Sequence, residues 1–304
     1  MKLFRRVPDL ATRITVTPPE PRKDQADFAI VLIARNEGAR LRDWLAFHAV
    51  AGLRHLILYD NGSTDDTVEI ARSFSMIRTV VVPWVLDAAE TKSQMRFHQQ
   101  SLAYAHAICT CGAGFARMAF IDTDEYLVPT DALTIQDALD GLDHPNISLP
   151  WTMFGHNGHQ SPPKDAAPFA FEERAKDTTR PLLNFKCIVD PCEVTMVNPH
   201  RFETRRHQDS TVNTAGMMSR NKARDARFAT RDRLQLNHYY LMSVAEMEQK
   251  FSGPAVSGAK REQRKEAILK KAKLIESNAI KDTAARQFLA RHGIMDSADL
   301  RAVK

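Results

Sequence analysis

The sequence predicts an α/β fold in which a mixed, mostly parallel sheet carries helices on its faces. Apolar runs of strand length alternate with stretches whose apolar residues repeat at helical spacing. Polar clusters rich in Asn, Asp and Glu directly follow three of the strands. Such alternation favours parallel strands joined by crossover helices, and sheets of this kind bind their ligands at the carboxyl ends of the strands.

The first strand is predicted over residues 28–34, because that run is apolar and rich in β-branched residues, and it ends at the polar residues 35–38. A helix is expected over 40–50, where large apolar residues recur every three or four positions. A second strand over 53–59 runs directly into the polar turn at 60–67. Two polar clusters are therefore expected to meet at one edge of the sheet.

The next elements repeat this pattern. A helix ending at Ser73 is followed by a third strand over 77–84. A helix is predicted over 92–110, and a fourth strand over 116–121 stops at Asp122. A third polar cluster is thus expected on the same rim of the sheet.

The remaining sequence is less regular, and we divide the chain by changes in its pattern. Residues 1–25 are expected to form an N-terminal arm that ends in a Pro-rich linker. Residues 26–245 are expected to form the catalytic domain, with halves at 26–130 and 131–245, and 246–304 a helical basic tail.

Composition narrows the class of protein. Hydrophobic residues make up 43% and charged residues 26% of the chain, as in globular proteins, so wholesale disorder is not expected. The net charge of +5 suits an anionic partner such as nucleic acid, an acidic membrane surface or a phosphorylated substrate. There is no signal-like or membrane-spanning apolar run, and the four cysteines follow no zinc pattern. We expect a cytoplasmic protein, with at most peripheral contact with the inner face of an anionic membrane.

An Asp-x-Asp pair, Asp122 and Asp124, follows the predicted fourth strand. In a strand, residues two apart share a face, so both carboxylates are expected to converge on one ion. Mg²⁺ typically takes one or two carboxylates together with substrate phosphates, and the ion then neutralises a diphosphate leaving group. Glu125 points to the opposite strand face and is expected to pair with a base.

Several segments carry a resemblance to known glycosyltransferases. The segments Val31-Leu-Ile-Ala-Arg-Asn-Glu37, Tyr59-Asp-Asn-Gly-Ser-Thr-Asp-Asp-Thr67 and Phe120-Ile-Asp-Thr-Asp-Glu-Tyr-Leu127 resemble the nucleotide-sugar half of family 2 glycosyltransferases. Further matches are Trp151-x-x-Phe154-Gly155, Lys186-x-Ile188-Val189-x-Pro191, His200 and Asn237-His-Tyr-Tyr240. The fuller set, over about residues 28–251, is similar to glycosyltransferase family 92 and related bacterial proteins.

The resemblance implies the Rossmann-like GT-A fold, a nucleotide-sugar donor such as a UDP-sugar, and Mn²⁺ or Mg²⁺. It also implies a saccharide or glycoconjugate acceptor and a role in polysaccharide biosynthesis. Asp122 and Asp124 match the metal and diphosphate motif, and His238 is a candidate third metal ligand, since neutral imidazole suits Mn²⁺. The alternative for His238 is a purely structural role.

The nucleotide is expected to face the first two polar clusters. By resemblance, Asp60 lies near the uracil or ribose with Asn61 beside it, and Asn36 and Glu37 belong to the loop after the first strand, which also faces the nucleotide. An ordinary turn is the alternative for Asp60 and Asn61. A second group, Lys92 and Arg96, lies four residues apart on a predicted helix face and is expected either to reach the diphosphate or to be solvated.

An inverting transferase requires one carboxylate that deprotonates the acceptor hydroxyl. Residues after Asp124 are expected to supply it, and Glu173 is preferred to Glu172, with Asp177 and His156 left as alternatives.

Two other functions compete with transfer. One is a basic nucleic-acid-binding protein that uses residues 201–233, although this stretch has few aromatic residues and no recognised binding motif, so no nucleic-acid partner is expected. The other is a nucleotidyltransferase or phosphatase with paired aspartates, which the lack of a Gly-rich phosphate loop disfavours.

Overall fold

A computed structural model describes residues 10–90, 95–176, 181–222, 226–251 and 259–304 of the 304-residue chain. The elements below belong to these ranges.

The strands are β1 (Leu10–Ala11), β2 (Ile14–Thr15), β3 (Ala26–Ala34), β4 (His55–Asp60), β5 (Arg78–Pro83), β6 (Arg96–Phe97), β7 (Phe115–Phe120), β8 (Glu125–Pro129), β9 (Asn146–Met153), β10 (Glu173–Ala175), β11 (Phe185–Val189), β12 (Val194–Asn198), β13 (Arg201–Thr204), β14 (Thr211–Val212), β15 (Met218–Ser219), β16 (Leu234–His238) and β17 (Ala279–Lys281). The α-helices are α1 (Gly38–Val50), α2 (Thr67–Ser73), α3 (Gln99–Cys111), α4 (Ile135–Leu139), α5 (Ala167–Ala170), α6 (Val244–Phe251), α7 (Ala259–Glu276), α8 (Ala284–Arg291) and α9 (Ser297–Ala302). Short 3₁₀ turns lie at Gly112–Gly114 and Ala226–Phe228.

The central sheet is mixed, and the four strands at one end of it are parallel. Its strand order is β15-β14-β9-β11-β7-β3-β4-β5, and β7, β3, β4 and β5 run parallel to one another. The strand β11 is antiparallel to both of its neighbours, β7 and β9. This confirms the predicted α/β class. The four parallel strands were recognisable because each contains an apolar run of strand length, which is nearly continuous in β3, a strand covered on both faces.

Two strands outside this path bring distant residues to the end of β7. The strand β16 pairs antiparallel with β8 and parallel with β9, so His238 lies opposite Glu125 and also opposite Met153. The N–H of Tyr239 then donates to the carbonyl of Asp124 at 2.8 Å. A segment late in the chain is thereby fixed beside the Asp-x-Asp pair.

The two faces of the sheet carry separate apolar layers. One layer packs α1, α2 and α8 against the sheet and includes Trp44, Phe47 and Phe288. The other places α3 and β12 against the opposite face and includes Tyr104 and Phe202. The two layers bury alternate side chains of the same strand: in β3, Ile30 and Leu32 face one layer and Ala29 and Val31 the other.

Both ends of the chain join this architecture. In the predicted arm, β1 pairs with β6, and β2 pairs with β12. In the predicted tail, β17 pairs with β10, and Phe288, Leu289 and Leu300 are fully buried in the main core. The last helices therefore pack as part of the fold. Within the described residues, no helix has both the length and the apolar content needed to cross a membrane.

Some predicted boundaries were wrong. The helix predicted over 92–110 begins at Gln99, and Arg96 lies on the short strand β6 instead. The strand predicted to deliver the Asp-x-Asp pair ends at Phe120, and residues 121–124 form a turn that leads into β8. The aspartates are therefore positioned by a turn, not by a strand face.

Candidate active site

The loops that follow β3 and β4 are bonded to each other at the carboxyl edge of the sheet. Asn36 has a positive φ of 55°, and its Oδ1 accepts the N–H of Thr64 at 2.8 Å. The N–H of Asn36 donates to Ser63 Oγ at 3.1 Å, and Asp60 Oδ1 accepts the N–H of Ser63 at 3.0 Å. Asn61 donates its N–H to Ala34. The structure thus brings the predicted nucleotide-facing residues together.

The start of α1 is tied to the same loop. Glu37 donates its N–H to Thr67 Oγ1 at 2.8 Å, and Gly38 donates its N–H to Asp65 Oδ2 at 3.0 Å. A Cβ on Gly38 would meet the carboxylate of Asp66, so any larger residue here would force the Asp66 side chain to move. Burial raises the pKa of Glu37, against the charge of Arg40, whose Nε lies 3.3 Å from its carboxylate.

The two aspartates face different partners. Asp122 Oδ2 lies 2.8 Å from Lys186 Nζ, and its Oδ1 accepts a hydrogen bond from Gln100 at 2.8 Å. Asp124 Oδ2 lies 3.2 Å from Lys250 Nζ and 3.5 Å from His238 Nε2. We expected both carboxylates to share a strand face and converge on one ion. They lie in a turn instead, and each contacts a different lysine.

Glu125 and Lys186 form a buried ion pair behind Asp122. Their side chains are 0% and 1% exposed, and the charged atoms are 3.4 Å apart. Glu125 also accepts the N–H of Asp122 at 2.9 Å and the indole N–H of Trp151 at 2.6 Å. The prediction that Glu125 pairs with a base is confirmed. Burial raises the pKa of Glu125, whereas the carboxylates of Asp122 and Glu125 outweigh burial and hold the pKa of Lys186 well above its usual value.

His238 is held in an aromatic setting beside Asp124. Its ring lies 4.5 Å from that of Trp151 and 5.3 Å from that of Tyr240. Its Nδ1 is buried with no hydrogen-bond partner among the described residues, and Glu125 Oε1 lies 4.0 Å away. Burial acts to raise the pKa of Asp124, but His238, Lys250 and Arg40 together outweigh it, so this pKa lies well below its usual value.

The donor atoms fit a divalent cation in part. Among the described residues, no group of three or more acidic, His or Cys side chains surrounds a common point. Asp124 and His238 do present a carboxylate oxygen and an imidazole nitrogen side by side, a donor pair that suits Mn²⁺. Glu125 Oε1 lies 4.0 Å from the other ring nitrogen of His238, Nδ1. Histidines that bind a metal through one ring nitrogen commonly have a carboxylate near the other. Asp122 is instead directed to Lys186.

Of four further predicted residues, two are exposed on short strands and two lie outside the described residues. Arg96 is exposed on β6 and pairs with Asp87, and Lys92 lies outside the described residues. Glu173 is exposed on β10, and its N–H donates to Asn157 Oδ1 at 2.7 Å. Asp177, the alternative base, also lies outside the described residues.

Two cavities of similar size lie at opposite edges of the parallel strands. One, of about 310 Å³, is lined by Asn36, Arg40, Tyr126 and Glu246 among others. The other, of about 330 Å³, lies at the amino ends of β3, β4, β5 and β7. The first cavity reaches the carboxyl edge of the sheet at Asn36, where ligands of parallel sheets bind, but Asp122, Asp124 and His238 are not among its lining residues.

Among the solved structures that match part of the chain are those of two proteins. Staphylococcus aureus TarS, residues 1–349, is 16% identical with a TM-score of 0.32, over 55% of this chain and 47% of that chain. Its complex with UDP-GlcNAc is 18% identical with a TM-score of 0.33, over 55% and 46%. Glucosyl-3-phosphoglycerate synthase from Mycobacterium tuberculosis, in complex with Mn²⁺, UDP and glucosyl-3-phosphoglycerate, is 25% identical with a TM-score of 0.23, over 33% and 34%.

Two curated relatives carry the name of one family. A glycosyltransferase family 92 protein of Ricinus communis is 28% identical over 132 residues, 41% of this chain and 22% of its own length. Another, of Oryza sativa subsp. japonica, is 25% identical over 193 residues, 56% of this chain and 31% of its own length. The chain thus matches less than a third of either relative. The model of glycosyltransferase family 92 matches residues 34–274, which is most of the chain. The chain therefore belongs to glycosyltransferase family 92.

Proposed function

We propose that this protein transfers a sugar, with inversion, from a UDP-sugar or similar nucleotide-sugar donor to a saccharide or glycoconjugate acceptor. The reaction depends on Mn²⁺ or Mg²⁺. The observation that supports this proposal most directly is the pairing of Asp124 with His238 at the carboxyl edge of the parallel strands, in a chain of this family. Two lysines beside the aspartates add positive charge where a diphosphate would depart.

Each part of the donor has a proposed position. Asn36, Glu37, Asp60 and Asn61, on the two bonded loops, bind the nucleoside. Asp124 and His238 hold the cation, which supplies Lewis-acid stabilisation of the diphosphate when it is bound. Asp122 is held in place by Lys186 and Gln100, so its role is to orient this end of the site.

The acceptor base is proposed to be Glu173, and the alternative Glu172 is disfavoured by its contacts. Glu172 lies 3.0 Å from Arg286 and 3.3 Å from Lys281. Burial opposes ionisation slightly, but these two cations outweigh it and lower the pKa of Glu172, which makes it a weaker base. Glu173 is exposed to an approaching acceptor.

The proposal is tested by release of UDP from a panel of UDP-sugars. We expect turnover with Mn²⁺ or Mg²⁺ and its loss in excess EDTA. Asp124→Ala should reduce turnover by about a hundredfold or more, since it removes a ligand of the cation that stabilises the leaving group. Asp131→Ala, at an exposed aspartate, is the matched control and should keep full turnover. Undiminished UDP release in EDTA, or by the Asp124 variant, would contradict the metal role.

A further inference from the structure

The two lysines that neutralise the Asp-x-Asp pair differ in their freedom to move. Lys186 is 1% exposed and lies between Asp122 and Glu125. Lys250 is 25% exposed and contacts Asp124 from the last turn of α6. A buried ammonium between two carboxylates is fixed, whereas a partly exposed lysine on a flexible stem can exchange partners.

Lys250 contacts both Asp124 and the aromatic ring of Tyr240, two residues after His238. Its Nζ lies 3.2 Å from Asp124 Oδ2 and 4.8 Å from the centre of the Tyr240 ring, and it donates to the Tyr240 carbonyl. From α7, Lys271 approaches the same ring at 5.2 Å. Both lysines thus lie against Tyr240, but only Lys250 is in contact with the carboxylate that is proposed to hold the cation.

The ammonium group of Lys250 and a divalent cation would compete for the carboxylate of Asp124. An ammonium group within hydrogen-bond distance of Asp124 repels any divalent cation that uses the same carboxylate. Lys250 Nζ and His238 Nε2 both lie beside the same oxygen, Asp124 Oδ2, so a cation held between that oxygen and the imidazole would displace the ammonium group. The diphosphate of the donor supplies new negative charge next to this point, so a displaced ammonium has a second partner within reach.

We propose that Lys250 occupies the cation position on Asp124 while the donor is absent, and that it binds the diphosphate once cation and donor are in place. The inference rests on the proposed function and adds a diphosphate-binding residue to it. Lys250 would keep Asp124 ionised and correctly placed in the free enzyme, and would then add to the charge that stabilises the leaving group.

The test compares Lys250→Met with Lys271→Met, because both replacements keep an apolar stem against Tyr240. Binding of Mn²⁺ alone is measured by electron paramagnetic resonance, and binding of UDP at saturating Mn²⁺ by calorimetry. Lys250→Met should bind Mn²⁺ about tenfold more tightly, since a competing charge is gone, and UDP about tenfold more weakly. Lys271→Met should leave the affinity for Mn²⁺ alone unchanged, because within the described residues it makes no ion pair with Asp124.

Opposite changes in the two affinities are the signature of this exchange. If wild type binds both Mn²⁺ and UDP, but Lys250→Met binds Mn²⁺ no more tightly or UDP no more weakly, the exchange is overturned and the proposed function stands. If wild type binds neither, the proposed function fails and the inference with it. Thermal unfolding of each variant checks that the fold is retained.

Discussion

At the scale of single residues, charges in this site are neutralised by partners from remote parts of the chain. Lys186 and Lys250 are 64 and 126 residues from the aspartates that they contact. The aspartates themselves were predictable, because each polar cluster directly follows an apolar run in the sequence. No local pattern marks a lysine as the partner of one particular carboxylate. Only the family-like segment around Lys186 gave a signal, and Lys250 gave none.

A buried histidine makes stability depend on pH. His48 is 0% exposed, and its Nδ1 bonds to the Trp44 carbonyl at 2.9 Å while its Nε2 accepts the N–H of Leu127 at 3.2 Å. Burial lowers the pKa of His48 to about 3. Below pH 6.5 the unfolded chain binds a proton here that the folded chain does not. The free energy of unfolding should therefore fall as pH drops from 6.5 towards 3, by roughly 1.4 kcal/mol per pH unit from this group.

His48→Gln removes the titrating group and can keep an acceptor for Leu127. Urea unfolding at pH 7, 6 and 5 should show a shallower fall in stability for this variant than for wild type. Equal slopes in the two proteins would mean that His48 has the same pKa in the folded and unfolded chains, which would contradict the lowered pKa.

At the scale of elements, the two halves of the fold differed in how far the sequence determined them. The strands β3, β4, β5 and β7 were predicted within a few residues, because each contains an apolar run of strand length; in β3 and β4 that run is buried on both faces. After β8 the strands are short, several are antiparallel, and β16 pairs with strands more than 80 residues earlier. Register between such strands depends on packing that no local pattern records.

The helix α8 illustrates a segment whose role depends on that packing. Phe288 is 0% exposed and its ring lies 5.3 Å from that of Phe47 on α1. Phe288→Ala should lower the free energy of unfolding by about 3–5 kcal/mol, because it leaves a cavity in the main core. Met295→Ala, at a residue that is 63% exposed, should change it by less than about 0.5 kcal/mol. Urea unfolding followed by circular dichroism checks both; an unchanged midpoint for Phe288→Ala would show that 284–302 is dispensable to the fold.

At the scale of the whole molecule, several of the basic side chains that give the chain its positive net charge are paired with acidic side chains. In the basic stretch that was considered for nucleic-acid binding, Arg201 and Arg220 both contact Asp209, at 3.0 Å and 3.8 Å, and Arg206 contacts Glu193 at 3.1 Å. Nucleic acids are bound largely through Lys and Arg side chains that neutralise phosphates, and an arginine already paired with a carboxylate contributes less to this. These pairs reduce the positive field that the sequence alone suggested.

We therefore expect weak, sequence-independent binding of single- and double-stranded DNA and RNA at low salt, and none at about 150 mM salt. Fluorescence anisotropy of labelled 20-nucleotide probes over a salt titration measures this. Tight binding that persists at about 150 mM salt would favour the nucleic-acid alternative over sugar transfer.

The pairing of β16 with β8 also sets an order of events during synthesis on the ribosome. Asp122 and Asp124 emerge well before His238, and Lys250 emerges 126 residues after Asp124. A nascent chain can assemble the loops after β3 and β4 early, yet it lacks the imidazole of His238 and the ammonium of Lys250 that meet Asp124. A translation product that stops short of β16 could pair Asp122 with Lys186 but would leave Asp124 without these two partners, at the end of a partly built sheet.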